Sequence, residues 1–159
     1  MSFSSQDFRK AMSHFTTGVA ILTRCDSDGN PHGMTINSLT SASLKPPLLL
    51  FCLNKYSKTA HYFTETPSFA VNILSGEQES LARSFAAHDL KDWKEVEWAV
   101  SSFGNPILKG IVAALECKPK AIHAAGDHHI LIAEAQNLDI LSTENPLIFY
   151  KSHFHSFGE

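Results

Sequence analysis

Hydrophobic and polar positions along the chain set out its elements. Phe8, Ala11, Met12 and Phe15 keep the i, i+3, i+4, i+7 spacing of an apolar helix face. Ser4 or Ser5 is placed to cap that helix and Gly18 to end it. Residues 19–23 are apolar and β-branched and predict a strand, and Asp26-Ser27-Asp28-Gly29-Asn30 is a turn. A hairpin with the strand entering at His32 follows from it. The next stretch alternates in a different way. Thr35, Asn37, Ser41 and Ser43 fall on one face of an extended segment, and Ile36, Ala42 and Leu44 on the other. Pro46-Pro47 breaks the ladder, and 48–53 is an unbroken apolar run, predicted as a strand buried on both faces.

Ser57 opens a short helix over roughly 58–65, ended by Thr66-Pro67. Residues 69–74 read as a buried strand interrupted by the amide of Asn72. Ser75 and Gln78 form a capping box for a helix reaching about Ala87, with Leu81, Ala82, Phe85 and Ala86 inward. The segment 88–106 is less regular. Two long strands, 111–125 and 128–140, join at Gly126-Asp127, and a last strand covers 147–154. About seven strands, mostly in antiparallel hairpins, with about three short helices predict a mainly β chain. Its architecture is expected to be an antiparallel barrel with the helices at the periphery.

Composition narrows the functions. A chain of 159 residues fits one domain, expected over 1–159, with 43% hydrophobic and 18% charged residues. Net charge is −3 and no Lys/Arg cluster occurs, which argues against nucleic acid or an anionic membrane as the partner. The apolar run 48–53 is far short of the ~20 residues a membrane helix needs. The N-terminus has no apolar signal core, and Cys25, Cys52 and Cys117 are scattered. A reduced, cytoplasmic protein is expected. His128 and His129 alternate across a strand and cannot share a metal, and His153 and His155 lack partners, so no metal site is expected.

The candidate chemistry starts from the Thr/Asn/Ser face. It suits either a flat polar ligand or a solvent-facing edge strand. Asn54 and Ser57-Lys58-Thr59 follow a buried strand, where two hydroxyls, a cation and free N–H groups suit a phosphate or a simple N-cap. Buried in its strand, Asn72 needs hydrogen-bond partners, from a ligand or from the backbone. A flat ligand on Thr35, Asn37, Ser41 and Ser43 with its phosphate on Ser57 and Thr59 describes a flavin mononucleotide or the like half of a dinucleotide. No G-x-G-x-x-G, Walker loop or G-x-S-x-G is present.

The motifs T-x-N-S-x-x-S-x-S-L-x-P-P-L (35–48), SKT (57–59), FAVNIL (69–74), QESLARSFA (78–86), GNPIL (104–108), AGDHHILIAE (125–134) and PLIFY (146–150) occur in this order. On them the chain resembles the flavin reductase-like family of split-barrel, FMN-binding-type fold, which includes reductase components of two-component flavin-dependent monooxygenases. The resemblance implies that Thr35, Ile36, Asn37, Ser38, Ser41 and Ser43 line the flavin. The backbone around Cys52, Leu53 and Asn54 approaches its ring or ribityl chain, Ser57 and Thr59 take its phosphate, and Asn72, Phe85 and Ala86 complete the pocket. It implies a catalytic role for His128 beside a nicotinamide donor. It further implies hydride transfer from NADH or NADPH to FMN or FAD, a homodimer, and a transient monooxygenase partner. The sequence departs from the family pattern at Ala133, at Ser152-His153-Phe154 and at Lys91-Asp92-Trp93.

Overall fold

A computed structural model describes residues 2–87 and 93–157; Lys91 and Asp92, within the irregular stretch, lie outside the described residues. The chain is mainly β. Twelve described strands and three α-helices run α1 (Ser5–Met12), β1 (Thr17–Gly18), β2 (Ala20–Cys25), β3 (Pro31–Ile36), β4 (Thr40–Leu44), β5 (Pro47–Asn54), α2 (His61–Thr64), β6 (Phe69–Ile73) and α3 (Glu79–Ala86). They continue as β7 (Trp98–Val100), β8 (Pro106–Leu108), β9 (Ala113–Ala125), β10 (His128–Ile140), β11 (Ile148–Tyr150) and β12 (His153–His155). Seven strands form one antiparallel sheet in the order β3-β2-β6-β9-β10-β5-β4. Its ladder is open among the described residues, with β3 and β4 at opposite edges.

The polar stretch 35–43 is therefore not one strand. β3 ends at Ile36 and β4 begins at Thr40, so Thr35 and the Ser41/Ser43 pair stand on opposite edges of the sheet. The hydroxyl of Ser38 accepts the Cys52 N–H at 2.9 Å and reaches the Cys52 carbonyl at 3.3 Å. That exchange holds the crossing residues 37–39 against β5, and a side-chain oxygen outcompetes continued strand geometry there. The expected double-sided burial of 48–53 is corrected too. Leu49, Phe51 and Leu53 are buried, while Leu48, Leu50 and Cys52 are half-buried.

Two further expectations change at the ends. Ser4 caps α1, accepting the Asp7 N–H at 3.1 Å while Asp7 accepts the Ser4 N–H at 2.9 Å. The helix stops at Ser13, and Gly18 lies instead in β1, paired with β11. Its apolar face is uncovered, with Phe8 and Met12 57% and 51% exposed, and Phe15, beyond the helix, is 71% exposed. The single last strand becomes a β11–β12 hairpin, turning at Lys151 and Ser152 with φ of 47° and 65°.

One core cluster lies on each side of the sheet. Phe51 and Phe63 both pack edge-on to Phe69, with ring centroids 5.6 and 6.3 Å away, on the side covered by α2. Val19, Ile21, Leu74, Ala82, Phe85, Leu108 and Leu147 form the other, under α3. At roughly 1.5–3 kcal/mol per buried large apolar side chain, these clusters hold the sheet between its covering helices. Asn72 is fully buried and its amide is spent on the fold. It donates to the Ile21 carbonyl (3.1 Å) and Thr23 Oγ1 (2.8 Å) and accepts the Leu108 N–H at 2.9 Å.

Candidate flavin-binding groove

Three adjoining cavities make a groove along β3 and α3. The first, about 400 Å³, is lined by Met34, Thr35, Asn54, Tyr56, Ser57, Lys58, Thr59 and the α3 end at Phe85–Ala87. The second, about 510 Å³, shares Thr35, Ala86 and Ala87 with it and adds Ile36, Asn37, Arg83, Phe149, Ser152 and Phe154. The third, about 700 Å³, shares Asn37, Phe149 and Ser152 with the second and reaches Ser38, Thr40 and α1.

Local packing explains the walls. Thr35 donates its hydroxyl to the Ala82 carbonyl at 2.8 Å, tying β3 to the middle of α3. Gly33, two residues earlier on the same face, leaves room for the Phe85 ring; a Cβ there would overlap it. Trp93 packs edge-on to Phe85 at 5.0 Å and backs it from behind.

At the other end, the expected helix 58–65 shrinks to α2, which begins only at His61. Ser57–Ala60 is a run of turns in which the Ala60 N–H bonds the Ser57 carbonyl at 3.3 Å. That turn brings the Ser57 and Thr59 hydroxyls to 3.1 Å of each other, beside the exposed Lys58. Two hydroxyls meeting in a concave wall that a lysine also lines suit a phosphate, through side chains rather than a helix dipole. Asn54 fixes the entry to this turn by accepting the Tyr56 N–H at 2.8 Å.

The G-D-H turn is bolted to the same entry. The Lys55 N–H donates to the Asp127 carbonyl at 3.0 Å, and Lys55 Nζ donates to the Gly126 carbonyl at 2.7 Å. His128 stands in register with Asn54, and its Nδ1 is 2.8 Å from Asp127 Oδ1. That contact holds the Asp127 carboxyl below the usual carboxylate range, chiefly through the His128 hydrogen bond.

The structure thus brings Thr35, Ile36, Asn37, Ser38, Asn54, Ser57, Thr59, Phe85 and Ala86 to one groove. The other expected residues are not among the described residues that line these three cavities. Asn72 is an interior bracket; the Leu53 side chain is buried in the core, and the Cys52 backbone bonds the Ser38 hydroxyl, which leaves the expected approach of this backbone to the ligand as an expectation. Ser41 and Ser43 sit on the β4 edge, and the Ser43 hydroxyl accepts the Lys45 N–H at 3.2 Å. His128 adjoins the groove through Asn54 without lining it. Sequence reading missed Arg83, Phe149 and Ser152, because only the fold brings the end of the chain against α3. Gly33 carried a legible signal, a glycine inside a strand pattern.

Comparison with known proteins identifies the family. Residues 12–158 match the flavin reductase like domain. The chain is 35% identical over 147 residues to the reductase subunit of a flavin-dependent monooxygenase from Rhodococcus jostii, covering 92% of this chain and 75% of that one. It is 34% identical to a flavin reductase of Pseudomonas putida, covering 96% of this chain and 90% of the other. Among solved structures, the NADH:FAD oxidoreductase of Streptomyces globisporus, in complex with NAD and FAD fragments, superposes with a TM-score of 0.90 at 35% identity. That match covers 96% of this chain and 92% of the other. The chain belongs to the flavin reductase-like domain family.

Proposed function

We propose that the chain is an NAD(P)H:flavin oxidoreductase that passes a hydride from NADH or NADPH to FMN or FAD and supplies reduced flavin to a separate monooxygenase. The observation that carries this is the convergence of the Ser57 and Thr59 hydroxyls beside Lys58 at one end of a groove walled by Thr35 and Phe85. Relatives named as monooxygenase reductase subunit and flavin reductase support the reaction and the partner class.

A flavin bound there supplies a ring that takes up a hydride. The chain's own part is positional. Ser57, Thr59 and Lys58 hold the phosphate, and Phe85 and Thr35 wall the first cavity. With Nδ1 committed to Asp127, His128 keeps Nε2 for the nicotinamide donor, which makes it the residue assigned to catalysis. Excluding water and setting two rings face to face is worth far more here than any side-chain chemistry.

Residues 1–159 act as one domain whose curled sheet forms a split barrel, with the crossing 37–39 joining its open edges. A homodimer covers exposed Phe8 and Met12 of α1 with Phe15 just beyond it, and the half-buried face of Leu48, Leu50, Ile130 and Ile132. No helix among the described residues is long and apolar enough to cross a membrane, and a cytoplasmic location accords with the free cysteines.

The test is direct. Purified protein with FMN or FAD should oxidise NADH or NADPH, followed by the loss of nicotinamide absorbance. Flavin binding without oxidation of either donor would replace a reductase with a carrier or storage protein.

A further inference from the structure

Beyond the flavin contacts, the second cavity carries a cation and a strained hydroxyl residue that the flavin reading does not use. Arg83 is 59% exposed on α3, yet its guanidinium is not loose. Its Nε and Nη2 both contact Glu79 Oε1 at 2.7 Å, and its Cζ lies over the Phe154 ring at 4.8 Å from the centroid. A guanidinium has five N–H donors in a rigid fork, and these contacts occupy one edge of it. The result is a pre-oriented cation in the wall of a concave lobe, next to the lobe that holds Lys58.

Ser152 lines the same lobe and the third one from the β11–β12 turn. Its φ of 65° lies in the left-handed region, which costs a side-chain-bearing residue stability that glycine would save. The turn is held against the end of α1 by the Lys151 N–H donating to the Ser13 carbonyl at 2.8 Å. A serine kept in a glycine conformation at the wall of a cavity is a residue whose hydroxyl has a use.

From this pairing we infer that Arg83 and Ser152 form the recognition site for the diphosphate of the nicotinamide donor. The guanidinium edge and the hydroxyl bind phosphate oxygens, while the flavin phosphate is held separately at Ser57 and Thr59. This rests on the reductase reading. Two anionic nucleotides must meet in one groove of a chain with net charge −3, and each lobe places its own cation for one of them. The diphosphate is common to NADH and NADPH, so the site serves both donors alike.

The test compares Arg83→Gln, Arg83→Lys and Ser152→Gly with the unsubstituted protein. Steady-state kinetics with NADH, NADPH and flavin are combined with calorimetric binding of ADP-ribose, which has the diphosphate without the nicotinamide ring. Arg83→Gln should raise KM for both donors and the ADP-ribose Kd by about tenfold or more, with flavin KM within about twofold. Arg83→Lys should recover part of that loss by restoring charge without the fork. Ser152→Gly should raise Tm by a few degrees and still weaken ADP-ribose by about threefold. Unchanged ADP-ribose binding in either Arg83→Gln or Ser152→Gly overturns the assignment. So does an equal rise in flavin KM, or an effect confined to NADPH. Arg83-dependent ADP-ribose binding without NADH oxidation would remove the reductase reading and keep this site. Turnover indifferent to Arg83 would do the reverse.

Discussion

Ser38 and Cys52 exchange hydrogen bonds across the crossing between the sheet's edges, the Cys52 N–H into Ser38 Oγ and the hydroxyl back to the Cys52 carbonyl. The serine here completes the β5 edge in place of a strand. Ser38→Ala leaves a half-buried amide without its acceptor and should cost about 1–2 kcal/mol of stability in urea unfolding. Asn37 and Thr35 flank the same crossing, so flavin KM should rise with it. An unchanged unfolding midpoint would show that the crossing is held by other contacts.

The phosphate wall makes a sharper prediction. Replacing both Ser57 and Thr59 with Ala removes the two converging hydroxyls while leaving α2 and the core under it in place. Flavin KM should rise about tenfold or more, with unfolding changed by less than about 1 kcal/mol. A change in donor KM matching that of flavin would place both nucleotides on this turn.

Asn72 belongs to stability rather than to binding. Asn72→Leu keeps volume but deprives the buried Leu108 N–H of its acceptor and the Thr23 hydroxyl of one of its two partners, the Pro106 carbonyl being the other. A loss of about 2–4 kcal/mol in denaturant unfolding should follow, with flavin KM of the remaining folded protein unchanged. A selective loss of flavin affinity at intact stability would return Asn72 to the pocket.

Acid should act through Asp26. The ring of His32 stacks on Tyr62 at 3.6 Å, and its Nε2 is 3.0 Å from Asp26 Oδ2; this His32 hydrogen bond, above all others, holds the Asp26 carboxyl far below the usual range. The Asn30 and Asp28 N–H groups add to it. A carboxylate with a lowered folded pKa contributes stability above the ordinary carboxylate range near 4 and loses it as pH falls through and below that range. The stability difference between the unsubstituted protein and Asp26→Asn should therefore be largest at neutral pH and shrink below pH ~4, read by urea unfolding at each pH. A difference that stays constant from neutral to acid pH would show that the carboxylate charge is not what the pair uses.

Much of this was legible in the residues. Local chemistry determined the N-cap at Ser4, offered with Ser5 as its alternative, the capping box of Ser75 with Gln78, the hairpins at Asp26–Asn30 and Gly126-Asp127, and the buried strands around Phe51 and Val71. These depend on neighbours within a few positions, which is why periodicity and turn residues announce them. The same holds for Ser57 and Thr59, whose contact spans two residues.

Tertiary structure decided the rest. Alternation alone made 35–43 a single polar face, because a one-dimensional pattern has no way to show that Ser38 is captured by Cys52, fourteen residues on. Asn72 had equal claims as ligand contact and bracket until β2 and β8 were seen on either side of it. Arg83 and Ser152 lie at distant points of the chain and share a cavity only because the β11–β12 hairpin folds back over α3. Pairing partners far apart in sequence carries no local signal, so the groove, unlike its phosphate turn, exists only in the folded chain.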